Sequence, residues 1–394
     1  MPHLSTALAT CIDRRPERVA SLTVTAAPTV RPIDPDEHLA FIRRQPSASF
    51  LQTPAWAKVK PEWHPESLGF FLGDALVGVA LVLHRRLPRI NRTLAYLPEG
   101  PVLDWSRDDL SDLLAAMTRH LQTGGAFAVR MGPPVIRRRW EAATVKAAIA
   151  DPALTRLGDV PADEVDPVGT RVVELLSRTG WIHQVGEGGF TAGQPQYNFQ
   201  LPLPSGEAAL LKGMNQLWRR NIKKADKEGV EVSVGTREDL GVFHTMYAET
   251  AERDHFTPRP LAYFQTMYDA LNADDPDRMQ LYLARHEGDL VASTTMVRVG
   301  THAWYSYGAS TSAKREVRGS NAIQWRMMRD ALADGASVYD MRGITDTLDP
   351  EDSHVGLIQF KVGTGGQAVE YAGEWDLPLS RVLYKAFDLY MKRR

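Results

Sequence analysis

The chain has 394 residues, 43% hydrophobic and 24% charged, a globular composition that excludes disorder, collagen and coiled-coil rods. Its 46 Lys and Arg against 48 Asp and Glu give a net charge of -2, which argues against a protein that coats nucleic acid along its whole surface. The single cysteine, Cys11, excludes an intramolecular disulfide and a cysteine-based zinc site.

The N-terminal residues 1–28 contain no apolar segment of the kind that directs secretion. Asp13, Arg14 and Arg15 interrupt this stretch, so we expect a flexible lead-in. No window approaches about 18 uninterrupted apolar residues, the length that spans a bilayer. A cytoplasmic protein is therefore the expectation.

Strand and helix patterns alternate along both halves of the chain. In the first half we predict strands at 75–84 and 126–131, helices at 109–122, 136–150 and 172–178, and a surface loop at 151–168. In the second half we predict strands at 197–203, 230–234, 279–285, 290–299, 301–307 and 337–341, and helices at 207–228, 239–252, 260–272 and 321–333. The repeated pattern indicates an α+β (mixed α/β) fold of two related modules side by side.

The C-terminal stretch Leu379–Arg394 has apolar residues at helical intervals and ends in Lys392, Arg393 and Arg394. One interpretation is a docking helix whose terminal cations complement its dipole. The other is a basic C-terminal segment that contacts the anionic surface of the inner membrane.

Three segments concentrate cations in a pattern suited to phosphate. Lys58 and Lys60 end the segment 49–60, in which Trp56 is expected to pack inward. Arg259 lies between two prolines that fix its backbone, so little entropy is lost when its guanidinium binds phosphate. The predicted helix 207–228 carries one positive face made of Arg219, Arg220, Lys223, Lys224 and Lys227. Each segment also has a purely structural interpretation. Lys58 and Lys60 would be solvated lysines, Arg259 would belong to an ion-pair cluster that caps a helix, and the positive face would be a solvated helix face.

Two further segments are unusual for residues with a purely structural role. The strand Trp304–Gly308 carries three aromatic residues, with Tyr305 and Tyr307 on one face. Lys361 follows Phe360 in an apolar run, where a lysine is costly unless it has a partner or a function. The acidic residues between these segments lack the ordered spacing of a calcium loop, and no metal site is predicted.

An ordered set of motifs resembles the FemX/FemABX family of aminoacyl-tRNA-dependent peptidyltransferases, which form peptidoglycan bridges. The resemblance covers about residues 47–376. Its motifs are Trp56-Ala57-Lys58-Val59-Lys60, Tyr197-Asn198-Phe199, the basic helix, Arg259-Pro260 with Tyr263-Phe264, Tyr305-Ser306-Tyr307-Gly308, Tyr339-Asp340 with Gly343-Ile344, and Phe360-Lys361.

The resemblance implies two GNAT-like domains packed side by side, with the C-terminal helix returning to the first. We accordingly assign residues 29–192 and 373–394 to the first domain and 193–372 to the second. Some members of the family insert a long helical arm after the basic helix. Here Gly229 leads straight into Val230, which indicates the arm-less, FemX-like type.

The resemblance also implies roles for individual residues. Lys60 and Arg259 would hold the diphosphate of a UDP-linked or lipid-linked muramyl-peptide, and Trp56, Tyr263 and Tyr307 would line the same cleft. Phe360 and Lys361 would adjoin the reacting centre, with Lys361 as the positive charge near the developing oxyanion. The chain departs from the family at Gly132, where FemX-like enzymes can carry an aspartate.

The implied reaction transfers an amino acid, such as Gly, Ala or Ser, from aminoacyl-tRNA to the amine of the third stem-peptide residue. The basic helix would touch the tRNA, no cofactor is needed, and no partner protein is predicted. One alternative is a GNAT N-acetyltransferase. Such enzymes bind the pyrophosphate of acetyl-CoA with a Gly-rich turn that opens a helix, and Arg318-Gly319 is a degraded version of that turn. Others are a tRNA-dependent amide ligase acting on a secondary metabolite, and a degenerate GNAT-like binding module.

Overall fold

The computed structural model describes residues 27–185 and 193–391. The helices are α1 (Pro35–Arg43), α2 (Trp56–Val59), α3 (Leu110–Thr123), α4 (Ala142–Ile149), α5 (Pro167–Arg178), α6 (Glu207–Gly213), α7 (Gln216–Lys227), α8 (Leu240–Asp254), α9 (Leu261–Asp274), α10 (Gly319–Ala333), α11 (Val355–Val362) and α12 (Arg381–Met391). Nearly all of the predicted lead-in, together with Cys11 and the terminal Lys392, Arg393 and Arg394, lies outside the described residues.

The strands form two mixed sheets. They are β1 (Thr29–Pro32), β2 (His64–Leu72), β3 (Ala75–Arg86), β4 (Thr93–Leu97), β5 (Ala126–Met131), β6 (Ile136–Glu141), β7 (Glu164–Val165), β8 (Ile182–Gln184), β9 (Tyr197–Pro202), β10 (Glu231–Gly235), β11 (Met279–His286), β12 (Asp289–Val299), β13 (His302–Ser310), β14 (Val338–Ile344), β15 (Gln367–Tyr371) and β16 (Glu374–Pro378). The first sheet has the order β1-β2-β3-β4-β5-β16-β8 and the second β10-β11-β12-β13-β14-β9-β15-β6-β7. The predicted mixed α/β class is confirmed.

The same unit is built twice. In the first sheet, β2, β3 and β4 are antiparallel, and α3 then leads to β5, which runs parallel to β4. In the second sheet, β11, β12 and β13 are antiparallel, and α10 leads to β14, which runs parallel to β13. In each module, the helix that connects the two parallel neighbouring strands covers one face of the sheet. This repetition is the pair of related modules that the sequence predicts.

The chain crosses between the sheets near both ends of the second module. After β15, the strand β16 inserts beside β5 in the first sheet, and α12 then packs Phe387 against Phe127 at 5.5 Å between ring centroids. The C-terminal helix therefore returns to the first module as predicted. In the other direction, β6 and β7 pair into the second sheet, although they lie within the predicted first domain. The division at 192/193 and 372/373 stays a prediction.

Two predicted helices are wrong in part. Residues 136–141 form β6 rather than the start of a helix, because Trp140 is fully buried against the second sheet and Arg138 pairs with Glu370 of β15. The predicted helix 207–228 is two helices, since Asn215 caps α7 by accepting the backbone N–H of Trp218 at 2.9 Å. Only residues 228–230 separate α7 from β10, so no arm is inserted there.

One hydrophobic cluster joins the two modules. It combines Phe50, Trp56 and Leu81 of the first module with Met267 and Trp304 of the second. Phe50 contacts both tryptophans edge-on, at 5.4 Å from Trp56 and 5.5 Å from Trp304 between ring centroids. This shared core packs the two modules against each other. Among the described residues, no helix is long and apolar enough to cross a membrane.

Two glycines, one in α11 and one just after it, predict different effects of the same substitution. Gly365 has a φ of 82°, and a Cβ there would collide with the carbonyl oxygen of Gly213. Gly365→Ala is expected to lower the free energy of unfolding by about 1–3 kcal/mol. Gly356→Ala, in α11 with nothing near its Cβ, is the matched control and should be neutral or stabilise by up to about 1 kcal/mol. Urea denaturation measures both, and equal losses would contradict the prediction.

Candidate functional site

Two cations from different modules share one tyrosine at the junction of the modules. Lys60 follows α2, and its Nζ lies 5.5 Å from the centre of the Trp56 ring and 5.2 Å from that of Tyr263. Arg259 precedes α9, with its Cζ 5.4 Å from the Tyr263 ring. Among the described residues, neither cation has a carboxylate within ion-pairing distance. We call Lys60, Arg259, Tyr263, Tyr307 and Trp56 the cation clamp.

The clamp is held by contacts that the sequence did not reveal. The hydroxyls of Tyr263 and Tyr307 lie 3.1 Å apart, which ties α9 to β13. Trp56 is buried beneath Lys60, whereas the neighbouring Lys58 is exposed to solvent. Burial, and then the nearby Arg259, lower the pKa of Lys60. A half-buried lysine and an exposed arginine, neither of them in an ion pair among the described residues, attract an anion with more than one negative charge, such as a diphosphate.

Lys361 lies in α11 with 3% of its surface exposed. Its Nζ donates hydrogen bonds to the backbone carbonyls of Arg342 at 3.2 Å and Gly343 at 2.8 Å. Burial lowers its pKa to about 7, against an opposing effect of Asp340 and a further lowering by Arg342. The ammonium is therefore held by carbonyl dipoles rather than by a carboxylate, and a new negative charge nearby would favour its charged form.

An irregularity in β14 supplies these two carbonyls. The pairing with β9 shifts register between Asp340 and Gly343, and Arg342 takes a φ of 64°. Asp340 stabilises the irregularity by accepting the backbone N–H of Arg342 at 2.6 Å and the amide of Gln200 at 3.1 Å. Burial raises the pKa of Asp340, but His302 and then Arg342 outweigh it and hold that pKa below its usual value.

Arg342 connects Lys361 to the first module. Its guanidinium forms an ion pair with Glu99 at 2.9 Å, and Glu99 also accepts the hydroxyl of Ser49 at 2.5 Å. The same guanidinium lies 5.9 Å from the ring of Phe50, which contacts Trp56 of the clamp. A continuous line of contacts therefore runs from Lys361 to the cation clamp.

Phe360, the residue before Lys361, lines a cavity. Its backbone carbonyl accepts the indole N–H of Trp218 at 2.7 Å, and the two rings lie 4.8 Å apart. The cavity has a volume of about 270 Å³ and is lined by Phe360, by Asn221 of α7, and by Arg315, Arg318 and Ser320 at the start of α10. The free N–H groups at a helix N-terminus and two arginines favour an anionic group there.

The basic face predicted for residues 207–228 lies on α7. Trp218 and Ala225 face inward, and Arg220, Lys223 and Lys227 are exposed, with Arg219 and Lys224 half-buried. In the part of the chain that the structure describes, none of these five cations forms an ion pair. Asn221 Nδ2 lies 3.4 Å from Asn321 Oδ1 on α10, so the basic face adjoins the cavity beside Phe360.

Several site features could not be found by sequence reasoning. Glu99 carries no local sequence signal because it pairs with Arg342 across the modules, and the backbone irregularity at Arg342 depends on the pairing of β14 with β9. Gly132 lacks the family's aspartate, but a Cβ there would lie 3.6 Å from Cγ of Glu374, so a carboxylate from β16 occupies this neighbourhood. Among the described residues, no group of three acidic, histidine or cysteine side chains is arranged to hold a metal ion.

The fold and the cleft define a two-module protein with cations gathered at the module junction. The model of the FemAB family matches residues 33–287 and 277–392, and the chain belongs to this family. It is 24% identical to Lipid II:glycine glycyltransferase of Staphylococcus aureus (strain MRSA252), over 89% of this chain and 93% of that one. The crystal structure of FemX is similar with a TM-score of 0.76 and 23% identity, covering 91% of this chain and 99% of that one.

A more distant likeness is to the structure of L-PGS from Bacillus licheniformis. Its TM-score is 0.52 at 11% identity, over 92% of this chain and 97% of that one, which concerns the fold alone. The predicted resemblance to FemX/FemABX proteins is confirmed by the family match and the likeness to FemX.

The lowered pKa of Lys361 predicts a pH-dependent stability. Between its folded pKa of about 7 and its unfolded value of 10.5, the unfolded chain binds the extra proton, so stability rises as pH rises. The free energy of unfolding of the native chain should gain about 2 kcal/mol over Lys361→Met between pH 7 and pH 9. Urea denaturation of both proteins at the two pH values measures the difference. A difference independent of pH would contradict a lowered pKa.

Proposed function

We propose that this protein transfers a small amino acid from aminoacyl-tRNA to the amine of the third stem-peptide residue of a lipid-linked muramyl-peptide. The observation that carries the proposal is that the buried Lys361 is connected to the cation clamp through Arg342 and Phe50, and that its neighbour Phe360 contacts Trp218 of the basic helix α7. The names of the relatives support a glycyl donor and a Lipid II acceptor for those proteins. Glycine, alanine and serine are the candidate amino acids here.

The reaction is aminolysis of an activated ester. The acceptor amine attacks the carbonyl carbon of the aminoacyl ester, a tetrahedral oxyanion forms, and the 3′-hydroxyl of the terminal adenosine leaves as the amide bond is made. The attacking amine must lose a proton and the leaving oxygen must gain one. Lys361 would stabilise the oxyanion as an ammonium, because a positive charge in a site of low dielectric is worth more than in water.

The cation clamp would hold the acceptor. Among the described residues, neither Lys60 nor Arg259 is in an ion pair, so both would be available to an anion, and Tyr263 and Trp56 offer aromatic surface beside them. Two neighbouring cations suit the charge of a diphosphate, and a sugar packs well on an aromatic face. Since the clamp joins both modules, acceptor binding would also order the cleft in which transfer takes place.

The donor would approach from the opposite side. The basic face of α7 would follow the phosphates of the acceptor strand, and the cavity beside Phe360 would take its terminal nucleotide. Such a single basic face is compatible with a chain of net charge -2.

An acetyl-CoA-dependent acetyltransferase is the second candidate, because the cavity at the start of α10 would also suit a pyrophosphate. Two substrates discriminate between the candidates. Incubation with a mixture of charged tRNAs and both UDP-linked and lipid-linked precursors should add the mass of one amino acid to the stem peptide. Acetylation of an amine by acetyl-CoA, with no transfer from tRNA, would refute the proposal.

The clamp predicts a selective loss of acceptor affinity. Lys60→Ala and Arg259→Ala are each expected to raise the KM for the diphosphate-bearing acceptor by about 10- to 100-fold, because each removes a charge-assisted hydrogen bond. The KM for aminoacyl-tRNA should change little. Lys58→Ala, which removes an exposed lysine of α2, is the matched control. Equal effects of Lys58→Ala and Lys60→Ala would contradict the assignment.

The basic face predicts a change in salt dependence. Changing Arg220, Lys223 and Lys227 together to Gln should weaken tRNA binding and lower the slope of log affinity against log salt by about 2–3. The affinity for the acceptor should be unaltered. Filter binding of aminoacyl-tRNA at several salt concentrations measures the slope. An unchanged slope would show that α7 does not contact the tRNA.

A further inference from the structure

A groove outside the catalytic cleft runs across the first module, between α12 and the turn that joins β3 to β4. Its volume is about 660 Å³. Leu383, Phe387 and Tyr390 line one wall, and Leu87 and Ile90 line the other. Phe387 anchors the helix on Phe127, so the groove is held open by packing on the sheet below it.

The outer surface of this region is apolar. On α12, Val382 is 79% exposed, Leu389 is 52% exposed and Met391 is 40% exposed. Across the groove, Ile90 is 47% exposed. A helix whose inner face is already packed on a sheet gains nothing for folding from a second apolar face. Several large apolar side chains exposed on one short helix and on the turn across the groove from it indicate an interaction surface.

Four arginines lie at the end of β3 and in the turn that follows it. Arg85, Arg86, Arg89 and Arg92 fall within the eight residues 85–92, and all four are exposed. Among the described residues, none of them has a carboxylate within ion-pairing distance. Lys385 adds an exposed cation from α12, whereas Asp388, the acid of that helix, is half-buried. In the sequence, Lys392, Arg393 and Arg394 follow directly.

We propose that α12 and the β3–β4 turn form a docking surface for an anionic phospholipid membrane. Apolar side chains that enter the interface, bordered by cations that meet phosphate headgroups, are the chemistry of a helix lying in a membrane surface. An acidic protein would match the arginines but would leave the protruding Val382 and Leu389 unmatched. An apolar partner would leave the arginines unpaired and partly desolvated.

The docking surface lies next to the cation clamp. Arg85 lies with its Cζ 5.6 Å from the ring of Trp63, and the backbone N–H of Trp63 donates to the carbonyl of Lys60 at 2.9 Å. Docking would therefore bring Lys60 close to the headgroup layer, where the diphosphate of a lipid-linked acceptor lies. This positional step rests on the proposed function, but the docking itself does not.

Vesicle co-sedimentation without any substrate tests the docking. The full chain should bind vesicles of phosphatidylcholine mixed with phosphatidylglycerol far better than pure phosphatidylcholine. At about fivefold per arginine, Arg86→Gln with Arg89→Gln should bind the anionic vesicles about 25-fold more weakly. Arg119→Gln with Arg178→Gln removes the same charge from exposed positions of α3 and α5, on the opposite face of the sheet, and should bind like the native chain.

The apolar half of the surface has its own variant. Val382→Ser with Leu389→Ser changes two exposed side chains, so folding should be retained, as thermal unfolding will show. Vesicle binding should fall at least tenfold.

Equal binding to both kinds of vesicle, or equal losses in the Arg86/Arg89 and Arg119/Arg178 variants, would overturn the proposal. A dimer dissociated by the serine variant would instead assign the patch to a second copy. Amino-acid transfer without vesicle binding overturns docking alone, and vesicle binding without transfer overturns the proposed function alone.

Discussion

The burial of the Lys361 ammonium without a carboxylate partner is the constraint on which the site depends. A charged group removed from water needs compensating dipoles, and here two backbone carbonyls provide them. Those carbonyls are available because β14 departs from regular pairing at Arg342, which Asp340 and Glu99 hold in place. The energetic cost is visible in the pKa of Lys361, which burial lowers to about 7.

The same constraint explains why the site needs both modules. Glu99 of the first module pairs with Arg342 of the second, and Lys60 of the first shares Tyr263 with Arg259 of the second. A hydrophobic cluster centred on Phe50 fills the space between these two polar junctions. Neither module alone contains a complete clamp or a complete support for Lys361. The site is thus a property of the packed pair, which suits a reaction between two large substrates.

Sequence periodicity predicted the modules because their hydrophobic patterns are local and strong. It failed at residues 136–141 and at Asn215, where the contact between Trp140 and the second sheet and the cap on α7 decide the backbone. Lys60, Arg259 and Lys361 were singled out by their sequence context and received roles from the family resemblance, and the structure brings Lys60, Arg259, Tyr263 and Tyr307 together. The Glu99–Arg342 pair spans 243 residues of chain, so no local pattern reports it.

The central claim is that Lys361 stabilises the transition state and does not merely hold the substrates. Single-turnover transfer by Lys361→Met, with both substrates saturating, tests this claim most directly. The account predicts a rate about 100- to 1,000-fold below that of the native chain, the usual cost of removing one oxyanion-stabilising group, while the Kd of each substrate changes by less than about threefold. A native rate of transfer by this variant, or a loss that saturating substrate restores, would contradict it.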